Sequence, residues 1–352
     1  MNIIQNAEQV TTVGALNWRD LHARGLVCNI HYDWSLEVAR RRRTGERAVL
    51  ETHYLPQLEA GAVDFDFMTV GGDHSHFCGV DDMADGSLVM LDHMLADLDE
   101  SPSFVLATQV GDIVAAKQAG QRALMLTIEG SKPIQEDLWR LRTLYRLGVR
   151  SVILTWFTAN AVADGVNEAR NGGLTDFGKA VVREMNRLGM LIDISQSSSA
   201  TFDSVVRLTE QPIIASHSNA SGLYPHRRNL TDRQLEQIAR LGGVVGVHTF
   251  ASHLAADKVK LETLLDHIDH IISTVGENFV ALGLNITVEP DGAIHMFQNT
   301  KIDYGTLYIP GIETMAQFGN ITVGLLRRGY QPATIEKILG GNFLRVAQSV
   351  VG

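Results

Sequence analysis

Eight short apolar runs recur along the chain, each closed by a polar turn, and most are followed by a stretch with helical periodicity. They are Leu26 to Ile30, Phe65 to Val70, Ala123 to Ile128, Ser151 to Thr155, Leu191 to Ile194, Pro212 to Ala215, Gly243 to His248 and Phe279 to Leu284. Between them lie amphipathic segments such as Asp137 to Leu147, Thr175 to Leu188, Ser199 to Leu208, Asp232 to Leu241 and Leu261 to Val275, with Ala333 to Leu339 near the end. Several of these close in the same way, Leu147-Gly148, Leu188-Gly189 and Leu241-Gly242, with glycine where a left-handed cap is needed. Strands that read as continuous hydrophobic runs and alternate with helices predict a parallel sheet covered on both faces. Eight such units predict a closed α/β barrel of the (β/α)8 TIM type. The rival, a doubly wound open sheet, lacks its phosphate-binding signature, since neither GxGxxG after a first strand nor GxxxxGK[ST] occurs.

The 352 residues, 45% hydrophobic and 20% charged, suit a soluble globular chain, and no Ser-, Gly- or Pro-rich linker divides it. One domain over residues 1–352, with N- and C-terminal helical additions, is the expectation. The stretch from Gly71 to Glu100 is long for a strand–helix connection and is expected to form a lid or a side wall. A net charge of −10 offers no basic face to a phosphate backbone, so no nucleic-acid partner is expected. No apolar run has the length of a membrane span, and MNIIQNAEQV lacks the features of a signal peptide, so a cytoplasmic location without membrane contact is expected. Cys28 and Cys78 are expected to be reduced and buried. Thirteen histidines are the unusual count, because imidazole is the commonest metal ligand.

In a parallel barrel the active site lies at the C-terminal mouth, so the residues that end each apolar run are the informative ones. The first run ends in His31-Tyr32-Asp33, where alternation points His31 and Asp33 to one side. The third ends in Glu129, the fifth in Asp193-Ile194-Ser195-Gln196, the sixth in Ser216-His217-Ser218 and the eighth in Asn285. Imidazoles and carboxylates converging on one mouth form a divalent-metal site suited to zinc. Each residue also has a plainer reading: Glu129 could cap a helix or pair with an arginine, and Asp193 is assigned to that structural class. His248 is equally a site or a core residue. His74 and His76, in GGDHSH, have metal-like spacing in a loop-like stretch.

These residues resemble the renal, or membrane, dipeptidase family of zinc metallopeptidases within the amidohydrolase-type barrels. The similarity covers most of the chain and is strongest in GGLTDFGKAVVREMNRLGMLIDIS (Gly172 to Ser195) and PIIASHSNASGLYPHRRNLTDRQLEQIARLGGVVGV (Pro212 to Val247). It extends to the first-run HYD, the Ile128-Glu129-Gly130 turn, LDHIDHI (Leu265 to Ile271) and the closing GGNFLRV (Gly340 to Val346). The resemblance implies two zinc ions bridged by a glutamate, with a water between them that attacks the amide of a dipeptide. His31, Asp33 and Glu129 would hold the first metal, and Glu129 and His217 would share the second. Arg228, in His226-Arg227-Arg228-Asn229, matches the arginine that binds the substrate carboxylate. A homodimer is plausible on the same ground.

Three positions depart from the family pattern. Gln196 stands where the second metal's other histidine is expected, and an amide oxygen is a poorer zinc ligand, so one or two ions remain open. Trp156 replaces a histidine that contacts the tetrahedral intermediate, and indole cannot become cationic near neutral pH. Asn285 replaces the aspartate that takes a proton from the attacking water, which an amide cannot do. Asp291, in a nearby Pro-Asp-Gly turn, and Glu289 are candidates to replace it. The expected activity is therefore metal-dependent cleavage of an amide in a small carboxylate-bearing substrate. The alternatives are a barrel diverged to a lyase or other hydrolase, and a non-catalytic binding protein.

Overall fold

A computed structural model describes residues 12–13, 16–286 and 309–352. Its main sheet contains eight parallel strands in sequential order: β1 (Cys28–Tyr32), β2 (Phe65–Gly72), β3 (Arg122–Glu129), β4 (Val149–Ile153), β5 (Leu191–Asp193), β6 (Ile213–Ala215), β7 (Val244–Val247) and β8 (Val280–Leu282). Each of the apolar runs contributes one of them. A further short strand, Phe104–Leu106, pairs with the start of β3 on the side that β4 takes over from Leu126 onward.

The strands are buried on both sides, as a helix-covered barrel requires. Along β3, Leu124, Leu126 and Ile128 pack in one large cluster that includes helix residues such as Leu141, Val181 and Phe202, whereas Ala123 and Met125 pack with Ile30, Phe65, Phe67, Leu191, Ile214, Val244 and Ala281 from the other strands. Alternation then carries Thr127 and Glu129 onto the same face as Ala123 and Met125, and Thr69 onto the face of Phe65 and Phe67. This is how the sequence brings polar groups to one end of an apolar barrel.

Between β1 and β8 there is no backbone ladder among the described residues. The buried Asn29 side chain bridges them instead: its Oδ1 accepts from Leu284 N (2.8 Å), while its Nδ2 donates to Asp66 Oδ1 (2.9 Å) and to His31 O (3.1 Å). The close approach of β2 to β3 depends on Gly72, where φ is +134° and a Cβ would lie 1.8 Å from Glu129 O.

Local signals set the helices. Thr175 caps Asp176–Leu188 by accepting from Gly178 N, and Gly189, at φ +69°, closes it with its N–H on Asn186 O and Met185 O. Thr231 and Gln234 form a reciprocal capping box on Asp232–Arg240. Of the two expectations for Gly71 to Glu100, the side wall is what forms. After a tight turn at Ser75–Cys78, Asp82 caps an 18-residue helix, Met83–Glu100, whose buried Ser87, Met90, Leu91, Met94 and Asp97 follow helical spacing. This helix packs on β2 and on helix Ser35–Arg43, where Arg42 binds both Asp97 (2.8 Å) and Glu100 (2.7 Å). Both cysteines are free and buried. Among the described residues, no helix is long and apolar enough to cross a membrane.

Asp66 is wholly buried, its Oδ2 has no partner, and burial raises its pKa from 3.8 to about 7, against the opposing hydrogen bond from Asn29. Because the native state holds this proton more tightly than the unfolded chain, the Asp66 contribution is complete below about pH 4 and is lost as pH rises toward 7. Asp66→Asn should remove that loss. Chemical denaturation is expected to show the variant more stable than the parent by a few kcal/mol (~3–4) at pH 8, and by far less at pH 4.5.

Candidate metal centre

The mouth collects His31, Glu129 and His217, each offering one ligand atom, with all three atoms within 4.8 Å of one another and all three residues buried. His31 Nε2 lies 3.5 Å from Asp33 Oδ2 and 3.7 Å from Glu129 Oε1, and His217 Nε2 lies 3.6 Å from the same Glu129 oxygen. The His31 and His217 rings stack with centroids 3.7 Å apart. Both ring nitrogens of His31 are buried without a hydrogen-bond partner.

The charge states follow from burial and neighbours. Burial alone would lower the His31 pKa, but Asp33, Glu129 and Asp193 together outweigh it and the net shift is upward; Asp33 correspondingly stays below its ordinary value despite burial. Glu129 is pushed up to about 8, first by burial and then by the charge of Asp33. His217 is pushed well down by burial, with His31 and Arg228 adding to it. Thr69 Oγ1 donates to Asp33 Oδ1 and to Tyr32 O, fixing the carboxylate at the end of β1.

Gln196 occupies the space between Glu129 and His217. Its Nε2 donates to Glu129 Oε1 (2.6 Å) and to His217 Nε2 (2.9 Å), while its Oε1 is buried without a partner. A donor on Nε2 makes that nitrogen of His217 the acceptor, so the ring proton sits on Nδ1 and is donated to Ser216 Oγ (2.9 Å). Gln196 has a left-handed backbone, φ +64°, held by Val166 N (2.8 Å) and Thr155 Oγ1 (3.2 Å) on its carbonyl. That turn aims its side chain inward.

Arg228 comes to the same place. It is 5% exposed, its Nη2 donates to His217 O (3.2 Å), and its Nε and Nη1 have no partner. Burial lowers its pKa to about 10, against the raising influence of Glu129. Arg228 and Gln196 also line a cavity of about 310 Å³ with Ser218, Ser221, His226 and Asn229.

The remaining expected residues divide. Trp156 lies near the mouth, half-buried, with its ring 5.6 Å from that of His74. Asn285 is buried at φ +52° with its Oδ1 unpartnered. Asp291 and Glu289 lie outside the described residues. Asp193 has the structural place expected of it, its Oδ1 accepting from Ser195 N (2.9 Å) and Ser216 N (3.1 Å) and so joining the ends of β5 and β6. His248 is buried, its Nε2 3.4 Å from His253 Nδ1, one step back from His217. Of the GGDHSH pair, His76 is exposed, whereas His74 is buried with Nδ1 3.6 Å from Glu129 Oε2. Thr69 and Ser216 were not singled out from the sequence. The available signal was a hydroxyl interrupting or ending an apolar run on its inward parity.

A parallel α/β barrel with an imidazole–carboxylate cluster at its mouth defines a metallo-hydrolase type of barrel. Residues 17–351 match the profile of the membrane dipeptidase family, peptidase family M19, and the chain belongs to that family. It is 31% identical over 247 residues to a dipeptidase, verJ, of Clonostachys rogersoniana, a match spanning 70% of this chain and 60% of that protein. It is 34% identical over 236 residues to a dipeptidase, aclJ, of Aspergillus oryzae, spanning 66% and 52%. The chain thus spans only about half to three-fifths of these fungal relatives. A solved metallo peptidase from Rhodobacter sphaeroides, liganded with a phosphinate mimic of the dipeptide L-Ala-D-Ala, superposes with a TM-score of 0.80 at 24% identity, covering 92% of this chain and 99% of that one. That likeness shows the shared fold.

Asp193 supplies the one acceptor that two buried backbone N–H groups use here. Asp193→Ala should therefore destabilise the protein by about 2–4 kcal/mol, and Asp193→Asn, which keeps an oxygen, by roughly 1 kcal/mol. Thermal and denaturant unfolding measure both; equal stability of the alanine variant and the parent would refute the structural role.

Proposed function

We propose that the chain is a metal-dependent, dipeptidase-like hydrolase that cleaves an amide bond in a small substrate bearing a carboxylate. One observation carries the reading: partnerless imidazole nitrogens beside Glu129 share a mouth with a buried arginine that has two donors free. The donor set fits a divalent cation. Two imidazoles and a carboxylate oxygen within 4.8 Å of one another match ligands around one ion with bonds of about 2.0–2.2 Å, and the orphaned His31 nitrogens need such a partner. His31, Asp33, Glu129 and His217 are the proposed ligands, with nitrogen and carboxylate donors that suit zinc. Gln196 could ligate only after its amide turned over, which makes any second site the weaker one.

A bound metal would supply acidity to a water and polarise the scissile carbonyl. The chain's own groups do the rest. Arg228 presents unpaired guanidinium donors for a substrate carboxylate, in the planar geometry that a fork suits. The adjoining cavity of about 310 Å³ lies at the small end of ligand pockets, roughly 300–1,000 Å³, and fits a small substrate. Asn285 can hold a hydrogen bond but cannot take a proton at neutral pH, which leaves Asp291 and Glu289 as the candidate proton acceptors. The family resemblance adds a homodimer to the same proposal.

A second reading is favoured by Trp156, Gln196 and Asn285 together: the same centre serving a lyase or a different hydrolytic reaction. A dipeptide screen on the metal-loaded protein separates the two, since robust hydrolysis supports the first and silence with metal bound supports the second.

Replacing both His31 and Asp33 by alanine should abolish turnover and bound metal together; unchanged turnover in metal-free buffer would sink the mechanism. Arg228→Leu should raise KM by roughly 10- to 100-fold for a carboxylate-bearing substrate, the loss expected for charge-assisted hydrogen bonds. An equal effect on a substrate whose carboxylate is amidated would contradict the role given to Arg228.

A further inference from the structure

We infer that His74 is a metal ligand of this centre, acting on the oxygen of Glu129 opposite to Gln196 and supplying an imidazole in compensation for the one absent at position 196. The inference rests on the proposed metal-dependent reading. Glu129 offers two oxygens to its surroundings. On the Oε1 side stand His31, His217 and the Gln196 amide, which fills the gap between Glu129 and His217 with a neutral donor. On the Oε2 side stands His74, with Nδ1 at 3.6 Å. This separation is close to that from His31 or His217 to Oε1, and too long for a direct hydrogen bond.

His74 is 1% exposed, and its Nδ1 is buried with no hydrogen-bond partner. A buried, unsatisfied polar nitrogen costs about 1–3 kcal/mol and is kept where something outside the polypeptide satisfies it.

The residues around His74 are built to hold it there. On one side, Asp73 N donates to Glu129 O (2.8 Å) and Asp73 Oδ1 accepts from Lys132 N (2.8 Å), so the residue before His74 is tied to the backbone of Glu129. On the other side, Ser75 Oγ accepts from Gly72 N (2.8 Å) and contacts Ser87 Oγ (2.6 Å) on the wall helix. The Gly72 contact against Glu129 O sets the distance between the two segments. These bonds fix the residues on either side of His74 and so limit how far its ring can move from Glu129.

The test is titration of the metal-stripped, full-length protein with Co²⁺, following the visible d–d bands and the metal bound per chain, for the parent, His74→Ala, His74→Asn and His31→Ala. Asparagine keeps a polar group near the Nδ1 position for hydrogen bonding to Glu129, so it separates ligation from a merely structural contact. Both His74 variants should bind Co²⁺ at least about tenfold more weakly with altered bands, while their metal-free melting temperatures stay near the parent's. Parent-like affinity and bands in either folded variant overturn the inference. If His31→Ala loses Co²⁺ while the His74 variants keep it, only His74 is excluded and the proposed function stands; if the parent itself binds no Co²⁺, both fall.

Discussion

Glu129 is a carboxylate that the barrel buries to 3% exposure next to a second carboxylate, Asp33, and the rest of the mouth is organised around that fact. Burial and like charge push its pKa up to about 8 even against the opposing charges of His31 and Arg228, so the side chains alone leave a proton there at neutral pH. The countermeasures are all visible: His31 raised toward its cationic form beside Asp33, an Arg228 guanidinium kept charged though buried, and a Gln196 N–H donated to the carboxylate itself. A divalent cation would act in the same direction and more strongly, since it favours the ionised form of every ligand around it. The orphaned nitrogens of His31 and His74 are then the expected signature of a centre whose largest positive charge comes from outside the chain.

Such a carboxylate has to be carried to its place by a rigid support. Glu129 is the last residue of β3, held in register with Gly72 of β2 and Ile153 of β4. The neighbouring ends are tied by side chains: Asp193 joins β5 to β6, and Asn29 joins β1, β2 and the segment after β8. Polar side chains therefore do at the mouth and at the seam what the ladder does within the sheet. Each is buried, and each bonds to its own strand or strand end and to a neighbouring one at once. The same arrangement explains why a polar residue inside an apolar run, such as Asn29 or Thr69, need not be catalytic: it is placing a neighbour that could be.

The barrel was legible because its signal is local and repeated. Every apolar run became a strand, and the Leu188-Gly189 stop lies where the sequence places it. The residues read at the strand ends, His31, Asp33, Glu129, His217 and Gln196, lie at one mouth, because strand order in a parallel barrel turns sequence periodicity directly into position, whereas Arg228, which follows the sixth strand by a loop, was named only through the family resemblance. His74 was harder to weigh. Two histidines of equal spacing share GGDHSH, and only the tertiary path, with a double glycine letting the chain turn across Glu129, buries one and exposes the other. Gln196 shows a second limit. Its residue type could be read as a weak ligand, but whether its nitrogen or its oxygen faces Glu129 is set by where the neighbouring proton donors lie.

Two of the three altered positions, and the residue that follows the third, share a backbone conformation that residue type alone does not convey. Gln196 and Asn285 are themselves left-handed, at φ +64° and +52°, and Phe157, directly after Trp156, is left-handed at φ +59°. Non-glycine residues pay about 1–3 kcal/mol for such backbones, and a bulky aromatic such as Phe finds them especially unfavourable. Strain at the ends of β4, β5 and β8, all around one mouth, points to a selected geometry rather than a worn one. At Gln196 the compensation is visible, because its carbonyl is held by both Val166 and Thr155. At Phe157 it is equally direct, with Asn167 N donating to its carbonyl at 2.8 Å. At both turns the strained backbone is held by hydrogen bonds from residues outside the turn, as a backbone of this kind at the mouth of the barrel requires.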